Sequence, residues 1–285
     1  MAVDERALTA GLDALEIPVT PRVSRGRKIW ASAWPKLLAI AIVLGFWQFL
    51  IWTQWRPSYA FASPADTFSS LVDNWSVISD ATLTTLRRGL QGYAMAIAIG
   101  GVIGAAVARI PVLRAAIGSM ITGLQTMPSV AWFPMAIVLF KYGDSAIYFV
   151  IVIGAAPSIA NGLISGVDNI SPVLLRAGKV LGAKHFDSFR YVILPAALPS
   201  FVGGLKQGWA FAWRSLLAGE IIGGITGYSL GQQLAVNRDN ADMAGMQAAM
   251  IVLFTIGVLV DVLVFSNLER KVRKRYGLID AATTG

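Results

Sequence analysis

Three ionisable side chains in one apolar stretch are the residues of this sequence best placed to handle a charged ligand. Lys206, Arg214 and Glu220 lie within residues 198–223, which predict a membrane-spanning helix. An ionisable side chain inside hydrocarbon costs roughly 2.5–3.5 kcal/mol on insertion scales, so it tends to face a cavity or a charged partner. This helix therefore lines a water-filled route, or it carries an ion-pair set that holds it against its neighbours.

The helical period places apolar and charged groups of this stretch on one face. At about 100° per residue, a single stripe contains Lys206, Trp209, Trp213, Leu216 and Glu220. Lys206 and Arg214 favour an anion, whereas Glu220 opposes one unless it is paired. If the charges are structural, a basic side chain such as Arg214 is the expected partner of Glu220.

The sequence holds no catalytic constellation. It lacks the G-x-x-x-x-G-K-[ST] phosphate loop, so we do not expect this chain to bind and hydrolyse ATP, and we predict that it is not an enzyme. His185 is the only histidine and has no carboxylate cluster around it, and the chain contains no cysteine. We therefore predict no metal ligand and no cofactor in this chain.

The composition is that of a membrane protein. The chain of 285 residues is 55% hydrophobic and 14% charged, whereas soluble domains carry about 25% charged residues. Six apolar runs are long enough to cross a bilayer, and they cover residues 37–53, 83–108, 113–140, 146–167, 198–223 and 246–265. We predict an all-α, polytopic membrane protein with a tail at 1–34, a transmembrane domain at 35–276 and a second tail at 277–285.

Glycine and proline mark special positions in these spans. In the second span, small faces that let neighbouring helices approach closely are predicted by Gly89, Gly92, Gly100, Gly101 and Gly104. Pro128 and Pro134 break the third span, and Pro157 interrupts the fourth. Broken helices at membrane depth are tolerated where they line cavities, but a kink filled by a neighbouring helix explains Pro128 and Pro134 equally well.

The distribution of basic residues predicts the orientation. With the N-terminus inside, 17 of the 24 Lys and Arg residues fall in inside segments and five in outside segments, namely Arg56, Arg87, Arg88, Lys141 and Arg238. This bias predicts that both termini and the segment 168–199 are cytoplasmic. The net charge of +8 is then topological, and no nucleic-acid partner is needed to explain it.

The polar insert at residues 168–199 predicts two short helices. The first covers 172–181 with Ser171 as N-cap, and Gly182 can adopt the left-handed conformation that ends it. The second covers about 184–192 and stops before Pro195. The amphipathic pair could lie on the lipid surface or dock into a groove of a partner; an ordinary basic loop is the alternative.

The same insert resembles a known element. Its L-R-A-G-K-V-L-G-A, followed by I-L-P at residues 193–195, is similar to the EAA loop of ATP-binding-cassette importer permeases, which reads E-A-A-x-x-x-G and then I-x-L-P. Arg176 stands at the Glu position and Gly178 at the second Ala, while Ala177, Gly182 and Leu194-Pro195 match. The resemblance implies a type I importer permease fold in which this loop is the coupling helix that sits in a cleft of a cytoplasmic ATPase. The docking residues it implies are Arg176, Ala177, Gly178, Gly182, Ala183, Lys184, His185, Phe186, Leu194 and Pro195.

Other segments extend the resemblance over residues 82–269. T-L-x-R-x-x-x-G from Thr85 resembles the start of the permease core, and G-Y-S-L-G-Q from Gly227 the segment after span five. L-Q-T-M-P-S-V-A-W-F-P from Leu124 resembles the sulfonate, taurine and nitrate branch. Because span five lines the route in these permeases, the resemblance favours a translocation pathway of Met127, Pro128, Trp132, Lys206, Trp209, Trp213 and Glu220.

The resemblance also implies partners and a solute class. It implies a pair of permease chains, two ATPase subunits that hold ATP and Mg, an extracytoplasmic solute-binding protein, and the inner membrane of a bacterium. The solute would be a small anion such as a sulfonate, taurine, nitrate or bicarbonate; a thiamine-precursor or riboflavin-type solute is the alternative. An ion-coupled secondary transporter is the rival class, but the sequence shows no paired repeats, and a membrane-embedded enzyme lacks a nucleophile–base or metal cluster.

Overall fold

The computed structural model describes residues 25–57, 60–223 and 228–276, apart from a few side chains that include that of His185. Every regular element in these ranges is a helix. The chain divides into two compact units after Trp55. In the first unit, α1 (Arg25–Trp52) contains an apolar segment from Ala33 to Trp52 that is long enough to cross a membrane. It covers the predicted first span and begins within the predicted tail, of which residues 1–24 lie outside the described residues.

The second unit is built from eleven helices in the described residues. They are α2 (Pro64–Asp73), α3 (Trp75–Arg109), α4 (Pro111–Thr126), α5 (Phe133–Phe140), α6 (Asp144–Asp168), α7 (Pro172–Val180), α8 (His185–Ser188), α9 (Leu194–Ile222), α10 (Leu230–Asp239), α11 (Met243–Val260) and α12 (Ser266–Arg275). A 3-10 turn (Ser129–Trp132) precedes α5, and π-helical turns join α8 to α9 (Phe189–Ile193) and α11 to α12 (Asp261–Phe265).

Five of the six predicted spans are matched by helical segments of sufficient length and apolar composition. The pair Pro111–Thr126 and Ser129–Phe140, bent by 103° in the region of the predicted third span, makes a sixth if it is one broken span and not a re-entrant loop. The predicted break near Pro128 is therefore present. The helix α3 starts at Trp75, ahead of the predicted residue 83, and the polar segment predicted as a loop after span five contains α10.

Two predictions about prolines are wrong. The helix α6 continues through Pro157, because a single proline removes one backbone donor and leaves the rest of the hydrogen-bond ladder in place. The second helix of the insert does not stop before Pro195, which lies in the first turn of α9. There the wider π turn carries the Leu194 N–H to the Phe189 carbonyl, and a proline in the first turn needs no intrahelical donor.

The helix α6 lies at the centre of the second unit, in contact with α3 and α9 at the level of the backbone. A β-carbon added to Gly100 of α3 would lie 2.5 Å from the Ala156 carbonyl oxygen, and one added to Gly204 of α9 would lie 2.6 Å from the α-carbon of Gly162. The predicted small face of α3 is thus present at Gly89, Gly92, Gly100 and Gly104, whereas Gly101 points away from any described residue.

Aromatic rings fill the space where α3, α9 and the end of α11 meet. The rings of Tyr93 and Trp209 meet edge to face with centroids 5.2 Å apart, and Phe265 lies 6.3 Å from each of them. The Tyr93 hydroxyl donates a 2.7 Å hydrogen bond to the Leu205 carbonyl. These contacts fix the rotation of α9 against α3, and with it the direction in which every charged group of α9 points.

We predict that Gly100→Ala lowers the stability of the detergent-solubilised protein by about 1–3 kcal/mol, because its methyl group must displace the backbone of α6. Gly101→Ala, one residue along the same helix, should leave the stability almost unchanged. Thermal unfolding of the two variants side by side measures the difference. Equal melting temperatures would contradict the close contact of α3 with α6.

Candidate functional site

The loop between α6 and α9 has a defined geometry. Its first helix, α7, ends at Gly182, whose φ of +85° is the only left-handed glycine conformation in the described residues. The Gly182 N–H bonds to the Lys179 carbonyl and the Ala183 N–H bonds to the Gly178 carbonyl, both at 3.0 Å. This pair of bonds is a Schellman motif, so the predicted glycine stop is present, and the helix ends at Val180, one residue earlier than predicted.

Gly178 occupies a position where the resemblance leads one to expect alanine, and its contacts explain the glycine. A β-carbon at Gly178 would lie 2.9 Å from the Val192 side chain of the π turn. The helix α7 therefore rests directly on the polypeptide that enters α9. The predicted cap at Ser171 is only partly present, because its backbone occupies the cap position but its side chain makes no capping hydrogen bond.

The loop presents an exposed, largely apolar surface, although Gly178, one of the predicted docking residues, is buried. Val180 and Leu181 are each 86% exposed and Phe186 is 70% exposed. The predicted apolar face of α7 thus exists, but nothing in the second unit covers it among the described residues. Arg176 and Lys184 are exposed at its sides, and the Arg176 Nε donates to the Pro172 carbonyl at 3.4 Å. Ala177 and Leu194 are exposed and Ala183 and Pro195 half-buried; the side chain of His185 lies outside the described residues.

A buried polar network lies at the other end of the molecule, with Glu220 at its centre. The Glu220 carboxylate accepts hydrogen bonds from the Thr85 hydroxyl (2.9 Å) and the Gly231 N–H (3.1 Å), and lies 3.5 Å from the Arg88 guanidinium. Arg88 also reaches Asp144 at 2.9 Å, and Thr85 accepts from the Leu230 N–H. The network joins α3, α6, α9 and α10.

This network decides one question that the sequence left open. Glu220 is 2% exposed, and its basic partner is Arg88, so the suggestion of Arg214 as partner is wrong. The T-L-x-R segment that resembles the start of the permease core contains both Thr85 and Arg88, so the signal was present but its role was missed. The charge count assigned Arg88 to an outside segment, whereas the structure places it buried between helices.

The predicted stripe on α9 faces the interior of the single chain. Trp209 is 5% exposed, and Trp213 stacks on it with ring centroids 5.8 Å apart. A wall of a water-filled route requires exposed side chains, so Trp209 and Glu220 do not meet this requirement within one chain. Because Trp209 packs on Tyr93, the stripe faces the interior of the chain. The helical period alone does not indicate this direction.

A different face of α9 carries exposed polar groups. Gln207 and Arg214, separated by two helical turns, are exposed, and the Arg214 guanidinium lies 5.3 Å from the centre of the Phe211 ring. Lys206 lies between this face and the buried stripe and pairs with Asp261 at 3.2 Å. No carboxylate of the described residues pairs with Arg214.

The break in the third span lies against α6 and α9. Ser129, in the 3-10 turn, accepts a 2.6 Å hydrogen bond from the Ser215 hydroxyl of α9, and the Asn161 amide of α6 donates to Gln125 at 2.7 Å. Met127 and Pro128 are exposed at the bend and Trp132 is half-buried. The bend therefore presents two of the three predicted pathway residues of this span on the surface of the chain.

The described residues hold no group of three or more His, Asp or Glu side chains that could bind a metal ion. The exposed surfaces are an apolar surface on the α7–α8 loop and a cationic, polar face on α9.

The fold and these surfaces define a membrane permease subunit. Residues 96–274 match the family of binding-protein-dependent transport system inner membrane components, and the chain belongs to that family. It is 28% identical to the taurine transport system permease protein TauC of Escherichia coli over 62% of this chain and 67% of that protein. It is 26% identical to the nitrate import permease protein NrtB of Leptolyngbya laminosa over 81% of this chain and 84% of that protein.

A relative named for a different solute covers more of the chain. The riboflavin transport system permease protein RibX of Chloroflexus aurantiacus is 28% identical over 87% of this chain and 93% of its own length. Among solved structures, an inward-facing form of the MetNI methionine ABC transporter has a TM-score of 0.60, with 19% identity over 70% of this chain and 98% of that chain. The all-α importer-permease fold predicted from the sequence is thereby confirmed.

We predict that Glu220 and Arg88 are energetically coupled and that Glu220 and Arg214 are not. Glu220→Gln should lower stability by roughly 1–3 kcal/mol, because it removes the charge that the buried Arg88 faces. A double-mutant cycle of Glu220→Gln with Arg88→Gln should show a clear interaction energy, whereas the cycle with Arg214→Gln should show none. Coupling to Arg214 alone, measured by thermal unfolding, would overturn the assignment of the partner.

Proposed function

We propose that this chain, the membrane-spanning permease subunit of an ATP-driven importer, passes a small oxyanion of the taurine, sulfonate, nitrate or bicarbonate type. TauC and NrtB, by their names, serve taurine and nitrate. The exposed face of α9 supports the same class, because Arg214 lies there without a carboxylate partner in the described part of the chain. The charge of Lys206, in contrast, is balanced by Asp261.

The exposed, unpaired Arg214 is the observation that carries the proposal, because of its depth in the membrane. At about 1.5 Å per residue, Arg214 lies roughly 9 Å from the midpoint of α9, within a hydrocarbon layer about 30 Å thick. A guanidinium exposed at that depth is costly in lipid and tends to face a water-filled route or a partner chain. A route between two copies of this chain, lined by Gln207, Arg214, Met127 and Pro128, would accommodate all four exposed groups.

The ATPase partner would dock on the α7–α8 loop. Exposed apolar surface of this kind marks an interaction site, and Val180, Leu181 and Phe186 supply it on a helix that ends in a rigid Schellman motif. ATP and Mg would be held by that separate subunit, so this chain would carry no cofactor and perform no hydrolysis. An extracytoplasmic solute-binding protein would deliver the solute, and lipid would surround the complex.

The orientation follows from charge and from the docking role. Placing the α7–α8 loop in the cytoplasm also places both termini there, in the bacterial inner membrane, and agrees with the excess of Lys and Arg in inside segments. Closure of the ATPase subunits on ATP would then tilt the two permease chains from an inward-open to an outward-open packing, and the ligands would bias the balance between the two.

For docking, we predict that Val180→Ser combined with Leu181→Ser abolishes co-purification of the ATPase subunit with the permease. Both side chains are almost fully exposed, so the substitutions remove contact surface without a folding cost. Val236→Ser, an exposed apolar residue of α10, is the matched control and should retain the ATPase. Retention of the ATPase by the double variant would refute docking on this surface.

For the solute, we predict that Arg214→Gln raises the half-saturating concentration for uptake of taurine or nitrate by about tenfold to a hundredfold, since a charge-assisted hydrogen bond contributes roughly 1.5–3 kcal/mol. Arg238→Gln on α10, whose arginine pairs with its neighbour Asp239, is the control. Uptake into proteoliposomes with the complete complex measures both. Uptake of riboflavin, with no uptake of taurine or nitrate, would instead favour the RibX-like alternative.

A further inference from the structure

A polar groove lies apart from both the docking surface and the exposed face of α9. It has a volume of about 440 Å³ and runs between the N-terminal half of α3 and the start of α6. Its polar lining comes from Thr84, Arg87, Arg88, Gln91, Asp144 and Tyr148, with Leu83 at its side. A volume of this size falls within the range of small-molecule sites in proteins.

Two hydrogen-bond donors in the groove are available to a ligand. The Tyr148 hydroxyl donates to the Gln91 side-chain oxygen at 2.6 Å, which leaves the Gln91 amide NH₂ for another acceptor. Arg87, one turn earlier on α3, is exposed and has no ion pair within the described residues. Residues four apart on a helix lie side by side, so a guanidinium and an amide line the same groove together.

The remaining charges of the groove are already compensated. Arg88 is held by Glu220 on one side and by Asp144 on the other. Asp144 lines the groove with a half-exposed side chain, and one of its carboxylate oxygens pairs with Arg88. Arg87 is left as the cation whose charge is not matched, beside the neutral donor of Gln91.

We propose that this groove is an oxyanion-binding site in which Arg87 and Gln91 hold a small sulfonate or nitrate-type anion. The site rests on the proposed function, because it would be the first place where a solute delivered from outside meets the permease. Counting about 1.5 Å per residue from Arg109 at the inner end of α3, a hydrocarbon layer of about 30 Å ends near Gly89. In the proposed orientation, Arg87 and Gln91 then lie at the outer surface of the membrane, ahead of Arg214 along the route.

Because the chain contains no cysteine, Leu83→Cys places a single thiol beside the groove, at a side chain that is 68% exposed. The probes are two thiol reagents of similar size, methanethiosulfonate ethylsulfonate (anionic) and methanethiosulfonate ethyltrimethylammonium (cationic), applied to the permease in vesicles. Removing the positive charge with Arg87→Gln should lower the ratio of anionic to cationic labelling rates. We expect a fall of about threefold to fivefold, which is the effect on these rates that one nearby unit charge has in water. Arg87→Lys should preserve the ratio, and so should the control Lys141→Gln, an exposed cation outside the groove.

Taurine and sodium nitrate supply the test of binding. Sodium nitrate should slow labelling of Leu83→Cys by both reagents relative to sodium chloride at the same ionic strength. Taurine, which carries no net charge, should do so when it is added to the same sodium chloride buffer, and Arg87→Gln should remove both protections. The proposed site would be contradicted if Arg87→Gln left the labelling ratio unchanged, or if neither taurine nor nitrate changed the labelling rate. This measurement needs no ATPase or transport, so its failure leaves the proposed function to be judged by the uptake of taurine and nitrate.

Discussion

The backbone-level contact of α6 with α3 and α9 is the constraint on which the rest of this molecule depends. Lipid provides no hydrophobic force between helices, so association relies on close packing of small residues. Gly100 against Ala156, and Gly162 against Gly204, supply that packing on the two sides of α6. The three helices have little room to slide, because none of these contacts leaves space for an added methyl group.

The functional surfaces are attached to the two ends of this three-helix body. At one end, the α7–α8 loop connects α6 directly to α9, so a force on Leu181 or Phe186 acts on both helices at once. At the other end, Glu220 and Arg88 tie α9, α3 and α6 together. A movement imposed on the loop would therefore be transmitted as a rotation of one body rather than as bending of a single helix, in the manner of rigid-body switching.

The sequence predicted the elements whose signals are local. Apolar length marked the spans, Pro128 marked the broken span, and the Gly182 turn and the permease family followed from short motifs. It could not predict which side of α9 faces inward, because Lys206, Trp209 and Glu220 form a plausible polar stripe by periodicity alone. Only the contacts of Trp209 with Tyr93, and of Glu220 with Arg88, decide that rotation, and both join residues more than 110 positions apart. Because the same long-range contacts set the rotation of α9, Arg214 lies on the exposed face of this helix.

We expect α3, α6 and α9 of one chain to move as one body when ATP binds to the ATPase proposed to dock on the α7–α8 loop. Spin labels at Leu90→Cys and Ile222→Cys, on exposed positions of α3 and α9, measure this in two samples of the proposed dimer. In the first sample one copy carries both labels and the other carries none, and in the second each copy carries only the Leu90→Cys label. We expect the distance within one copy to stay constant when ATP is added, while the distance between Leu90→Cys labels on the two copies changes. A distance within one copy that changes as much as the distance between copies would contradict it.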